Sequence, residues 1–342
     1  MPVRLAFSSL LSVLATSLLL GQTACRSSSD VPSRDPGASS ASGGQGAGKV
    51  APPADLELAG VDVSSLTPRE RREWAGYVSE LPAPCADLTG VTVASCIKDK
   101  KSCARCLPAA RQLVRDVRDG RPRELVVESY KSRFGADTKN IDLTDTPMKG
   151  PATAPITIVE WADFECPFCR QAAPIIESMV DRFPGKVRFY FKAYPLPMHP
   201  HADLASRAAF AALNQNKFWE MHHKLFTATA LEASDIEKYA KEMGLDMAKY
   251  KADVDSPATV ARVARDKKQG EQAGLQGTPL VVINGREFTG GGNFQADLED
   301  WIHTELEMMG DPDNKPRPVA SATAAASGSA APAASASAKA AH

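Results

Sequence analysis

The feature that most restricts the fold is a strand that runs into a pair of cysteines. Residues 156–161, ITIVEW, are β-branched or aromatic at most positions and read as a strand. Cys166-Pro-Phe-Cys169 follows, and Pro167 to Phe183 has the spacing of a helix. A cysteine between a strand end and a helix start sits where unpaired backbone N–H groups and the macrodipole favour an anion. That position favours the thiolate, the nucleophilic form of sulfur. Cys169, one turn along the helix, is near enough to close a ring with Cys166 and is the more shielded of the two. The pair therefore suits attack by Cys166 and resolution by Cys169.

Two other uses of the pair are weaker. Zinc needs two further ligands, and His199, His201, His222 and His223 are the candidates in this part of the chain. These imidazoles read more simply as packing or surface groups, so no metal is assigned. A purely structural bridge would close too short a loop to restrict the unfolded chain much.

The ends of the chain bear on the compartment. Residues 5–20, LAFSSLLSVLATSLLL, form an apolar run behind Arg4 and end in small polar residues, so 1–24 read as a secretory signal rather than a membrane span. The stretch GQTAC resembles a bacterial lipoprotein signal, which implies lipidation of Cys25; ordinary signal-peptidase cleavage is the alternative. The chain has seven cysteines, and consuming Cys25 leaves an even set able to pair in an oxidising compartment. The expected location is the periplasm or cell envelope, with a lipid anchor in the membrane. A net charge of -1 without a long basic run argues against nucleic acid as a partner.

Composition then divides the chain. Residues 25–64 hold the anchor site and a Ser-, Gly-, Ala- and Pro-rich linker, and 311–342 are an Ala/Ser/Pro-rich tail of the same character; both are expected to be disordered. Residues 65–135 read as a small helical domain. Thr67, Pro68 and Glu70 form a capping box at its first helix, another helix starts near Leu107-Pro108 and stops at Gly120, and Leu125, Val126, Tyr130 and Phe134 line one side of a third. Residues 136–154 are a linker whose Gly, Pro and Thr content reads as a mobile joint.

The block 155–310 alternates strands and helices in the order βαβ, helical insertion, ββα, an α/β class. Ser234 to Glu237 reads as a capping box and Ser256-Pro257 as a helix start. Leu280 to Ile283, Asn284-Gly285 and Arg286 to Phe288 read as a hairpin, and Phe294 to Met309 as the closing helix.

This block resembles the DsbA family of thioredoxin-fold thiol–disulfide oxidoreductases, through "DFECPFC" and several matching positions. Pro174 resembles the proline inside the active-site helix of thioredoxins, and Glu160 the buried acid behind the cysteines. Gly277-Thr278-Pro279 resembles the cis-proline loop that pairs with substrate backbone. "FKAYPLPMHPHADLASRAA" and "FWEMHHKLF" resemble the family's helical insertion. The resemblance implies Cys166, Cys169 and Glu160 as catalytic residues, with Pro167, Phe168, Thr278 and Pro279 against substrate. Where the most oxidising members carry histidine this chain has Phe168, and Asp163 and Glu165 crowd the nucleophile, so a milder oxidant is expected.

The helical block holds Cys85, Cys96 and Cys103-Ala-Arg-Cys106. The segment "CARCLPAARQLVRDVRDGRPRELVVESYKSRFG" is similar to the three-helix domain of CcmH-type cytochrome c maturation proteins, which carry a redox CxxC before an arginine-rich helix. Cys103 and Cys106 are thus a candidate second redox or structural pair, and Cys85–Cys96 a structural disulfide. A four-cysteine zinc site is the minor alternative. Leu107 after Cys106, where haem attachment needs histidine, argues against a haem.

The expected function is disulfide formation or exchange in cysteine-containing exported polypeptides, with a further redox partner protein and no metal or organic cofactor. A reductase or isomerase is the alternative within the same chemistry. A module binding copper or an apocytochrome without turnover is the alternative outside it.

Overall fold

The computed structural model describes residues 56–290 and 293–314. The secretory signal, Cys25, the linker up to residue 55 and the tail from 315 lie outside the described residues.

The helical block consists of α1 (Pro68–Glu80), α2 (Val93–Lys98), α3 (Cys106–Arg118) and α4 (Arg123–Phe134). The capping box is in place: the Thr67 hydroxyl accepts from Glu70 N, and the Glu70 carboxylate accepts from Thr67 N at 2.7 Å. Trp74, Tyr77 and Val78 of α1 meet Leu113, Val114 and Val117 of α3 and Val126, Tyr130 and Phe134 of α4 in one apolar cluster. Leu125 was expected with this group but is exposed; it precedes Val126, and one residue is a 100° turn of the helix away from the 126–130–134 face.

The short α2 was not expected, and it changes the disulfide pairing. Bonds join Cys85 to Cys103 and Cys96 to Cys106, in place of the expected 85–96 bridge and 103–106 pair. Cys106 opens α3 and turns inward to Cys96 on α2, whereas Cys103 lies before the helix and meets the 83–88 loop.

The sheet has five strands in the order β1-β3-β2-β4-β5: β1 (Met148–Lys149), β2 (Ile156–Ala162), β3 (Val187–Ala193), β4 (Leu280–Ile283) and β5 (Arg286–Glu287). The central pair, β2 and β3, is parallel, with Ile156 opposite Val187 and Ala162 opposite Ala193. β4 runs antiparallel to β2, with Trp161 opposite Leu280, and turns through Asn284-Gly285 into β5. Both turn residues have positive φ, 48° and 80°, which is why this dipeptide is favoured there. The helix α5 (Pro167–Arg182) connects β2 to β3 and carries Pro174 inside it.

Between β3 and β4 lie α6 (Ala202–Leu213), α7 (Phe218–Thr227), α8 (Ala233–Glu242), α9 (Met247–Val254) and α10 (Pro257–Gln272). Ser256 caps α10 as expected. At α8 the N-cap is Glu232, so Ser234 falls in the first turn and the expected box is not formed. The last helix is α11 (Phe294–Met308).

Alternation along β2 sends its side chains to two cores. Ile156, Ile158 and Ala162 join the large core with α5, α7 and α11, while Val159 and Trp161 join a second with Leu280, Val282 and Tyr194. The Trp161 indole donates to the Asp266 carbonyl of α10 at 2.9 Å. Residues 136–147 are a packed strap rather than the expected mobile joint. Lys139 N donates to Gly285 O at 2.6 Å, and Ile141 and Leu143 pack against the Trp161 cluster.

Four arginines of the helical block reach α11. Arg115 pairs with Asp300 at 2.7 Å, Arg133 with the same carboxylate at 3.2 Å, Arg121 with Asp297 and Arg111 with Glu307. The Arg133 guanidinium also lies over the Trp301 ring, 4.3 Å from its centre. The arginine-rich pattern behind the CcmH resemblance thus has a packing explanation.

Candidate active site

Cys166 is the N-cap of α5 and Pro167 its first residue, so the chain turns from β2 into the helix at the first sulfur. Asp163 holds this turn. Its fully buried carboxylate accepts from Glu165 N at 2.7 Å and Cys166 N at 3.2 Å through Oδ1, and from Leu196 N at 2.7 Å through Oδ2. His199 Nδ1 lies 2.9 Å from the same Oδ2. The 196–201 loop is further tied down where His201 N donates to Glu165 Oε2 at 2.7 Å. The acids expected to crowd the nucleophile are therefore engaged in fastening two loops. The sequence signal for this was Asp163, a capping residue type, three residues before the N-cap Cys166.

Cys166 and Cys169 are free thiols and both are buried, at 4% and 0% exposure. The expected difference in access is small at the residue level; it lies in which side faces the rim. Cys166 Sγ donates to the Thr278 carbonyl at 3.4 Å, across to the cis Thr278–Pro279 peptide that leads into β4. Phe168, 68% exposed, flanks the cysteines, and Met198, 71% exposed, stands on the tethered 196–201 loop. Met198 lies in the stretch that resembles the family's helical insertion but was not singled out there; the bonds of Leu196 and His199 to Asp163 hold its loop beside the β2-to-α5 turn.

Cys169 receives the Asp163 N–H on its sulfur at 3.5 Å. Burial, and then the charge of Glu160, push its thiol up from the ordinary range. Glu160 is fully buried on the α5 face of β2, and neither carboxylate oxygen has a hydrogen-bond partner among the described residues. Burial, with a smaller contribution from the Glu177 charge, pushes its carboxyl up to about 8. A buried acid that titrates near neutrality beside a thiol is suited to exchanging a proton with it.

This arrangement, with a parallel βαβ unit, a CxxC heading its helix and a cis-proline facing the first sulfur, agrees with the comparison to known families. Residues 143–303 match the thioredoxin family model. That stretch has the thioredoxin fold.

The thioredoxin domain is similar to part of the Na(+)/H(+) antiporter NhaA 3 of Salinispora tropica, 36% identical over 151 residues, covering 44% of this chain and 23% of the antiporter. It is also similar to the antiporter NhaA of Herminiimonas arsenicoxydans, 34% identical over 175 residues, covering 48% and 28%. The chain thus spans about a quarter of the length of these curated relatives. Among the described residues no helix is long and apolar enough to cross a membrane. Among solved structures, a thioredoxin-like oxidoreductase from Silicibacter pomeroyi is 28% identical, with a TM-score of 0.42, over 46% of this chain and 90% of its own. BdbD from Bacillus subtilis is 22% identical, with a TM-score of 0.44, over 50% and 98%.

The histidines of the thioredoxin domain are placed apart in function. His199 holds Asp163, His201 Nε2 lies 3.3 Å from Glu232, and His223 is exposed. His222 is buried in a cage of Phe164, Phe191, Phe218, Trp219 and Phe226, where burial pushes it down to about 3, so the imidazole stays neutral. The cysteines of the helical block do not join the site. Arg105, between Cys103 and Cys106, faces Arg286, which pairs with Ile283 beside Ile158, whereas Cys166 follows the opposite end of β2.

Proposed function

We propose that this chain is a thiol–disulfide oxidoreductase acting on cysteine-containing exported polypeptides, with a separate redox partner to recycle it. The observation that carries the reading is the placement of Cys166 Sγ against the Thr278 carbonyl while Cys169 sits fully buried with the buried carboxyl of Glu160 as its neighbour. In the oxidising direction a substrate thiolate attacks Cys166 Sγ of the 166–169 disulfide. The S–S bond breaks, Cys169 leaves as thiolate, and protonated Glu160 supplies its proton. A second substrate thiolate attacks its own mixed-disulfide sulfur, releasing Cys166 and leaving the substrate oxidised by two electrons.

The backbone at Thr278 and Pro279 and the exposed rings and thioether of Phe168 and Met198 suit an extended, partly apolar peptide around its cysteine. Export and anchoring at Cys25 complete the proposal and rest on the sequence of residues 1–25. Cys169→Ser should trap mixed disulfides with peptide substrates through Cys166, and Cys166→Ser should trap none. Faster alkylation of Cys169 than of Cys166 in the reduced protein would reverse the roles. Stoichiometric Cu(I) capture without thiol exchange would replace the enzyme with a binding module.

A further inference from the structure

The two disulfides of the helical block touch. The sulfurs of Cys96, Cys103 and Cys106 all lie within 4.8 Å of one another, although Cys103 belongs to one bond and the other two to the second. The bonds differ in access. Cys96 and Cys106 are 1% and 2% exposed, whereas Cys85 and Cys103 are half-buried. A cavity of about 250 Å³ opens beside Cys85, walled by Leu81, Tyr130 and Phe134 and bearing Arg105 and Lys131, with no carboxylate among its lining residues. That volume is below the roughly 300–1,000 Å³ of drug-sized sites, so it suits a group the size of one or two amino acids.

We infer that this cluster is a second thiol-exchange centre, entered at Cys85 by a carboxylate-bearing low-molecular-weight thiol, which shifts the free thiol from Cys103 onto the buried pair. The incoming thiolate attacks Cys85 Sγ, forming a mixed disulfide and breaking the bond to Cys103. The Cys103 thiolate then attacks a sulfur of the Cys96–Cys106 bond, closing a new disulfide and releasing the other inner cysteine, which takes up the proton lost by the incoming thiol. One thiol adds and the number of disulfides in the protein, counting the mixed one, stays the same. A second equivalent of thiol attacks the mixed disulfide, leaves as the oxidised dimer and returns Cys85 as a thiol, so two electrons enter from two thiols. Lys98, Lys100 and Lys101, all exposed, and Arg105 flank Cys103 in the sequence, an excess of positive charge over the single carboxylate of Asp99. In a purely structural pair of staples, contact between the bonds and a cationic entry cavity have no role. This site is independent of the chemistry at Cys166.

The test uses the full chain carrying Cys25→Ser, Cys166→Ser and Cys169→Ser, so that the helical block holds the only cysteines left to react. Mercaptoacetate is added under native conditions, the reaction is quenched in acid, and free thiols are alkylated and mapped by mass spectrometry. The expected result is the adduct on Cys85 with alkylation on Cys96 or Cys106. Alkylation on Cys103 would overturn the transfer, an adduct on Cys103 would overturn the entry point, and no adduct would leave both bonds as inert staples. The Arg105→Ala/Lys131→Ala variant keeps all four sulfurs. It should reduce the preference for mercaptoacetate over neutral mercaptoethanol by roughly two- to fivefold per cation removed. An unchanged preference would overturn the assignment of an anionic thiol. In Cys85→Ser, which needs no added thiol, the odd sulfur should be found on Cys96 or Cys106; finding it on Cys103 would again overturn the transfer.

Discussion

Glu160 is a carboxyl with no hydrogen-bond partner among the described residues, facing a thiol it can serve. In the folded protein it holds its proton up to about 8, whereas the ordinary value is 4.5. The folded state therefore binds more protons than the unfolded chain between those values, and this group's contribution to stability falls as pH rises through the window and levels off above about 8. Glu160→Gln should remove that slope. Its stability relative to wild type should rise by a few kcal/mol between about pH 4.5 and about pH 8, read from denaturant midpoints, and the pH step in Cys169 resolution near 8 should disappear. At the next residues the electrostatics are less simple than the sequence implied. Asp163 has its oxygens taken by backbone N–H groups and His199, and Phe168 offers Cys166 no hydrogen-bond donor. The reduction potential should lie between about −270 and about −120 mV, the thioredoxin and DsbA values, and Phe168→His should make it more oxidising. Equilibration with glutathione or dithiothreitol buffers measures both. A wild-type value at or above the upper figure would contradict the argument.

Among the elements, α10 packs against the sheet at a glycine. A Cβ built on Gly270 would stand 2.9 Å from the Tyr194 ring and 3.0 Å from Trp161. Glycine here permits the close approach that lets the Trp161 indole reach the Asp266 carbonyl. Gly270→Ala should therefore destabilise by about 1–3 kcal/mol despite alanine's better helix propensity, because neither ring can withdraw from a filled core. Stability no lower than wild type in urea melts would show that α10 shifts freely. The pairing of cysteines also belongs to this scale. Spacing in sequence favours neighbours, but four cysteines allow three connectivities, and the choice rests on α2 docking against the start of α3.

For the whole molecule, α11 is the element that joins the helical block to the sheet. It is buried against α5 and β2 through Leu298 and Ile302, and presents Asp297, Asp300 and Glu307 to arginines of α3, α4 and the loop between them. Arg133 is only 2% exposed, so the Asp300 charge beside it compensates a cation that cannot reach water. Asp300→Ala should cost about 3–5 kcal/mol, and wild type should melt in a single transition, since breaking this contact exposes both partners. Two separated transitions in wild type by calorimetry would show the block to be energetically independent. The strap at 136–147 packs onto the sheet, and Arg105, next to Cys106, lies near Arg286 of β5, at the end of β2 opposite Cys166.

The sequence alone determined what rests on local chemistry. The β2-to-α5 turn, the capping box at Thr67, the Asn284-Gly285 hairpin and the CxxC with its cis-proline partner depend on residues whose preferences act within a few positions, or on a motif that travels as a unit. Tertiary structure decided the rest. Which cysteines pair, where the arginines of α3 and α4 find their carboxylates, and that Asp163 fastens a loop more than thirty residues away all depend on which surfaces meet after folding. No local preference distinguishes those partners, because a sulfur, a guanidinium or a carboxylate is satisfied equally well by any complementary group; only the packing of apolar faces selects which one arrives.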